Sequence, residues 1–164
     1  MLFRSGLEVP DSSFTGAKNF LDSVTDNTYY LTGYTEKGNS VRIKECMTAV
    51  AMTARVFMGA ERNDPYLIGG AGNLKGNLPD WGKEVDYYYW YYGTLAMFQM
   101  GGDSWTAWND KMKSALVDHQ ERGGCLDGSW PCKDEWSKSG SRIYTTSLNV
   151  LSLEIYYRYA KVFK

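Results

Sequence analysis

Helical segments with a charged face alternate in this chain with helical segments that have none. No charged residue falls between Tyr87 and Gly102, none between Cys46 and Ala54, and none between Ile143 and Leu153. A helix that is apolar all round needs neighbours all round. Three amphipathic segments precede these in turn. Phe14, Ala17, Phe20, Leu21 and Val24 form the first stripe, with Lys18, Asn19 and Asp22 between them. Leu67, Ile68, Ala71, Leu74 and Leu78 form the second. Trp105, Trp108, Met112, Ala115, Leu116 and His119 form the third, with Asp110, Lys111, Lys113 and Asp118 off it. Apolar residues at this spacing bury one helical stripe and leave the other face to water.

The alternation predicts an all-α fold of repeated helical hairpins in two layers, apolar helices inside and amphipathic helices outside. Closed around an axis, this is an α/α toroid, here a partial one of three hairpins. A flat right-handed stack is the rival geometry. Small residues recur in register, Ala51 eight residues before Gly59 and Gly93 eight before Gly101, where a neighbouring helix can approach closely.

The boundaries follow from capping chemistry. Residues 1–13 read as an irregular lead-in to a single domain spanning 1–164, with Ser13 as the first helix cap. The first helix ends near Thr25-Asp26-Asn27, and the aromatic link to Asn39 has room for a short two-stranded turn. Arg42 to Met58 reads as a helix stopped by Gly59. Asp64-Pro65 opens the next helix, since proline in the first turn forfeits no hydrogen bond, and Pro79 ends it. Asp103 is positioned to cap the helix that runs to His119-Gln120. The last helix runs from Ile143 to about Tyr159.

Composition narrows function. Lys and Arg number 18 against 19 Asp and Glu, and the basic residues are scattered, so no face is marked for nucleic acid. No apolar run is long enough for a signal peptide or a membrane span, so the chain as given reads as soluble. The 13 Tyr, 6 Trp and 6 Phe fill a core or line an apolar or sugar-binding cavity. Of three cysteines, Cys46 lies in an apolar helix as a core residue. Cys125 and Cys132 flank Gly128-Ser129-Trp130-Pro131 and are candidates to bridge across that loop in an oxidising compartment. Their spacing fits no standard zinc pair and there is one histidine, so no metal or other cofactor is implied.

The stretch Lys113 to Gln120 followed by Gly128-Ser129-Trp130 resembles the QW motif of the prenyltransferase and squalene-cyclase repeat family, whose fold is the α/α toroid. Tyr144 to Leu153 resembles the inner helix after the motif, and Arg42–Gly59 and Tyr91–Gly102 resemble earlier copies. One departure stands out: seven residues separate Gln120 from Gly128, a longer spacer than the family's motif has. Gln120, Gly128 and Trp130 are read as structural, the amide meeting open groups at a helix end and the ring folding over it.

The resemblance makes catalytic readings testable. The cyclases' Asp-x-Asp-Asp string is absent, His119 alone cannot build the prenyltransferases' zinc set, and the complement-type Cys-Gly-Glu-Gln thioester is missing. The remaining candidate acid is Asp86, beside the aromatic run, where burial would raise its pKa. Tyr87, Trp90, Tyr91 and Trp136 are the candidate ligand-binding residues. A glycan-processing toroid would need Asp86 to face Asp127 or Asp134 across a cleft, with Trp81, Trp90, Trp130 and Trp136 stacking on sugar rings. Missing catalytic sets lean against an enzyme and toward a scaffold or interaction domain. A terpenoid cyclase-like enzyme or isoprenoid-lipid binder is one alternative, and a carbohydrate-binding toroid another. An open arc of three hairpins also exposes its inner helices around Val50 and Val150. The expectation is that a second copy, or the rest of a longer toroid, covers them.

Overall fold

The computed structural model describes residues 8–37, 44–158 and 160–163. Among these residues seven α-helices follow one another: α1 Asp11–Val24, α2 Lys44–Phe57, α3 Pro65–Gly76, α4 Tyr87–Met100, α5 Gly102–Val117, α6 Ser137–Leu153 and α7 Ile155–Arg158. The fold is all-α. Among the described residues the sole extended pairing is one antiparallel bridge, Thr25 with Thr32. It is what remains of the two-stranded turn expected in the link. Gly38 and Asn39 at the link's end, Arg42 at the expected start of α2 and Tyr159 at the expected end of the last helix lie outside the described residues.

α4 occupies the centre. It contacts α2, α3, α5, α6 and α7, while α3 also touches α2 and α5. Tyr87, Tyr89, Trp90 and every residue from Gly93 to Gln99 are buried. An uncharged helix with neighbours on several sides loses no hydrated face. Gly93 permits the close approach of α5, because a Cβ there would overlap the ring of Trp108. That ring is itself fully buried and donates from Nε1 to Thr94 Oγ1 at 3.0 Å.

Capping chemistry sets most ends. Asp64 caps α3, its Oδ1 accepting from Tyr66 N at 2.8 Å with Pro65 in the first turn. Gly59, at φ +92°, lies past the end of α2. Two expected caps differ. α1 opens behind Pro10 with Asp11 in its first turn, so Ser13 is already helical and its N–H reaches Pro10 O at 2.9 Å. α5 opens behind Gly101, whose φ of +66° favours glycine, so Asp103 sits in the first turn and not at the cap. There its charge still complements the helix dipole. α3 ends at Gly76, before Pro79, and α5 ends at Val117, before His119 and Gln120.

Two stripes are less buried than their spacing suggests. In α1 only Val24 is buried and Phe20 is 51% exposed, since this helix meets the body mainly at its C-terminal end. There Thr25 and Thr32 share a hydrogen bond of 3.0 Å and Thr32 N donates to Thr48 Oγ1 of α2 at 2.9 Å. In α3, Leu67, Ala71 and Leu74 are buried but Ile68 faces out.

α6 departs furthest from expectation. It begins at Ser137, is broken at Ser141 (φ 57°, ψ −167°), and stops at Leu153 ahead of α7. Its buried residues are Ser137, Thr145, Asn149 and Ser152, while Ile143 and Val150 are exposed. α6 lies at the edge, in contact with α4 and α7. α2 does not share this fate. Around Val50, residues Cys46, Ala49, Ala51 and Met52 are buried.

Candidate functional site

The loop after α5 first folds back on the helix it leaves. Gln120 Nε2 donates to Gly128 O at 2.8 Å, Gly128 N donates to Glu121 O at 2.9 Å, and Glu121 N donates to Ser129 O at 2.9 Å. The long spacer between Gln120 and Gly128 is thereby looped out, part of it as the 3-10 turn Gly124–Leu126. Gly128 takes φ +78°, a value glycine adopts without strain. Trp130 is 1% exposed and donates from Nε1 to Leu116 O at 2.8 Å, near the carbonyl end of α5 where partners run out. Thr145 Oγ1 of α6 then donates to Trp130 O at 3.0 Å. Trp130 thus joins α5 to α6 and has no free face for a sugar.

Cys125 and Cys132 are exposed free thiols in this structure, and no bridge shapes the loop there. Gly128, Ser129 and Trp130 are held by hydrogen bonds instead. Cys46 is buried, and burial raises its thiol pKa, with Asp86 and Glu45 adding to the effect.

The start of α4 borders a cavity of about 270 Å³. Trp90, Tyr89 and Trp136 supply its aromatic wall. Among the described residues Glu45, Asp80, Glu84, Asp86 and Glu135 supply carboxyl groups and Lys83 a cation, its Nζ 3.9 Å from Asp80 Oδ2. The pieces converge from the first turn of α2, the 77–86 segment, α4, and the turn before α6. Asp86 caps α4, its Oδ1 accepting from Tyr89 N at 2.9 Å. Burial raises its pKa, the Tyr89 N–H works against that, and the charges of Asp134 and Glu84 push the same way as burial. Tyr89 OH donates to Asn77 O at 2.7 Å and pins the 77–86 segment to α4. Trp136 is half out in solvent, 52% exposed, with Tyr88 6.5 Å away.

Of the residues singled out from sequence, Asp86, Trp90 and Trp136 share this cavity. Tyr87 and Tyr91 do not line it. Tyr87 is fully buried with its hydroxyl donating to Pro131 O at 2.9 Å. Tyr91 packs against Tyr92 and the cluster of Leu95, Phe98 and Ile155. Trp81 stacks on His119, centroids 4.2 Å apart, with Lys133 Nζ 4.8 Å from its ring centre. The carboxylate pairs posited for glycan cleavage do not form across this cavity. Asp127 Oδ1 accepts from Gly123 N at 2.8 Å within the loop. Asp134 is 4% exposed and accepts from Ser137 N at 2.8 Å and from Tyr144 OH at 3.3 Å.

Glu45, Asp80, Glu84 and Glu135 were not legible as a set. A local hint exists in Asp80, Lys83, Glu84 and Asp86, which crowd just before an uncharged helix. Glu45 and Glu135 join them only through the fold. Among the described residues no group of three His, Cys, Asp or Glu side chains could hold a metal ion, and no helix is long and apolar enough to cross a membrane. Comparison with family models, with curated proteins and with solved structures finds no match.

Proposed function

We propose that this chain is a non-catalytic helical-hairpin domain of the prenyltransferase and squalene-cyclase-like kind, and that its α4 cavity binds a small organic cation. The observation that carries the ligand is the wall of that cavity, where Tyr89, Trp90 and Trp136 stand among the carboxyl groups of Glu45, Asp80 and Asp86. Aromatic faces and carboxylates together attract ammonium groups. The volume, about 270 Å³, falls just below the roughly 300–1,000 Å³ of cavities that hold drug-sized ligands. A long isoprenoid does not fit such a space, and its hydrocarbon has no use for the carboxyl groups.

The contact pattern supports the hairpin reading. α4 contacts both α2 and α6, and α3 and α5 pack on each other and on α4. The clasp of Gln120, Gly128 and Trp130 supports the family resemblance despite its longer spacer. The same reading assigns the outward face of α6, with Ile143 and Val150, to a second copy or a further hairpin. Sedimentation as a monomer at micromolar concentration, without binding of a dye for exposed apolar surface, overturns that part.

One observation favours the cyclase-like alternative: Asp86 has a raised pKa and lies beside Trp90. Its carboxylate is, however, already engaged as the cap of α4. Titration of tryptophan fluorescence with choline, cellobiose and farnesol separates the readings. Choline is expected to give a saturable change that Trp136→Ala weakens at least tenfold. A response to farnesol alone supports the cyclase-like reading, and one to cellobiose alone the sugar reading; either overturns the cation site.

A further inference from the structure

A second cavity, of about 260 Å³, is lined by α1, by Arg55 of α2 and by the segment that follows α2, and it shares no lining residue with the first. Its floor holds Arg55, which is only 4% exposed. The guanidinium is positioned from two sides. Its carbon lies 4.1 Å from the centre of the Tyr66 ring, and Nη2 lies 2.7 Å from Asp22 Oδ1. That contact is an ion pair by distance, yet neither Nη2 nor Oδ1 makes a hydrogen bond. A guanidinium carries five N–H donors in a fixed plane. Asp22 holds Nη2 by charge without hydrogen-bond geometry, and an acceptor that enters the cavity supplies an aligned bond.

The remaining lining defines the acceptor. Lys18 adds a second cation, and Phe14, Met58 and Ala60 add apolar wall. Asp64 also borders the cavity, its Oδ1 accepting from Tyr66 N. With Asp22 behind the guanidinium, two carboxylates offset two cations before any ligand arrives. A dianion is disfavoured in such a field, and a monoanion with an apolar body fits it. The planar fork of arginine matches a carboxylate in two parallel hydrogen bonds.

We propose that this cavity binds a short-chain organic carboxylate, its head group on Arg55 and Lys18 and its carbon body against Phe14, Met58 and Ala60. Aspartate 22 is the internal competitor for the same guanidinium. Its side chain is 38% exposed, so it can turn to water when a ligand carboxylate takes its place.

The test follows arginine side-chain N–H signals by nuclear magnetic resonance while butyrate, phosphate or chloride is added to the full chain at matched ionic strength. Butyrate is expected to shift the Arg55 signal saturably, and phosphate and chloride to shift it weakly or not at all. Asp22→Asn is expected to tighten butyrate binding severalfold by removing the competitor. Lys18→Gln, at an exposed position that folding does not depend on, is expected to weaken it severalfold. Arg55→Lys, which keeps the charge but loses the fork, is expected to weaken it at least tenfold. No saturable butyrate shift, tighter binding of phosphate, or indifference to both Asp22→Asn and Lys18→Gln overturns the proposal, even if Arg55→Lys fails to fold.

Discussion

Helix α4 and the Ile143–Leu153 part of α6 are both free of charge, yet they bury opposite kinds of residue. α4 buries Tyr87, Trp90, Leu95, Met97 and Phe98. α6 buries Thr145, Asn149 and Ser152 and turns Ile143, 79% exposed, to the outside. The difference lies in position. α4 has five helical neighbours, whereas α6 has α4 on one side and little beyond it but α7. Small polar side chains on the inner face of α6 let it come close to α4 and to the Trp130 strap, as Thr145 does through its hydroxyl. Absence of charge therefore marks a helix that tolerates burial, and the number of neighbours decides how much of it is buried.

The largest expected effect breaks the strap between these regions. Trp130→Ala removes a buried ring and the hydrogen bond to Leu116 O, and should lower stability by about 3–5 kcal/mol in chemical denaturation. A loss below about 1 kcal/mol would detach the ring from any role in holding α6.

Next comes the central helix. Met97→Ala should cost about 2–5 kcal/mol, as for other buried truncations, whereas Val150→Ala on α6 should stay within about 0.5 kcal/mol. Equal losses at the two positions would sink the distinction between centre and edge. Gly93→Ala tests the same contact from the other direction. Its Cβ meets the Trp108 ring, and overpacking of this sort costs about 1–3 kcal/mol.

Asn149 gives a prediction of opposite sign. It is 1% exposed, and its amide lies beside the Tyr87 hydroxyl without a well-aligned hydrogen bond on Oδ1 or Nδ2. Asn149→Leu removes a buried amide whose one polar neighbour is poorly aligned and should raise stability by about 1 kcal/mol. Thermal unfolding at a lower temperature than the parent chain would mean that the amide is satisfied after all.

The smallest effect concerns pH and the start of α4. A carboxyl whose pKa is raised in the folded chain holds its proton better there than in the unfolded chain. Folding then takes up a proton, and the stability tied to Asp86 falls as pH rises above the ordinary aspartate value. Asp86→Asn keeps a capping oxygen and removes the charge. It should be more stable relative to the parent at neutral pH than at pH 3, where both are uncharged. A difference independent of pH would refute the raised pKa.

The sequence by itself determined the helices and most of their ends. Apolar spacing at 3.6 residues located α1 to α5, Asp64-Pro65 marked the start of α3, and Gly59 marked the end of α2, because these depend on local backbone chemistry. Asp86, Trp90 and Trp136 were legible as site candidates because a carboxyl and two indoles beside an uncharged helix are unusual neighbours. Tertiary structure alone decided that Tyr87 and Tyr91 turn away from that cavity, and that Glu45 and Glu135 join it from distant segments. It alone decided that Phe20 and Ile143 stay exposed and that Arg55 is buried without a hydrogen bond on Nη2. Periodicity tells which residues share a helical face. Which face meets another helix depends on contacts between segments far apart in the chain, and no local pattern encodes those.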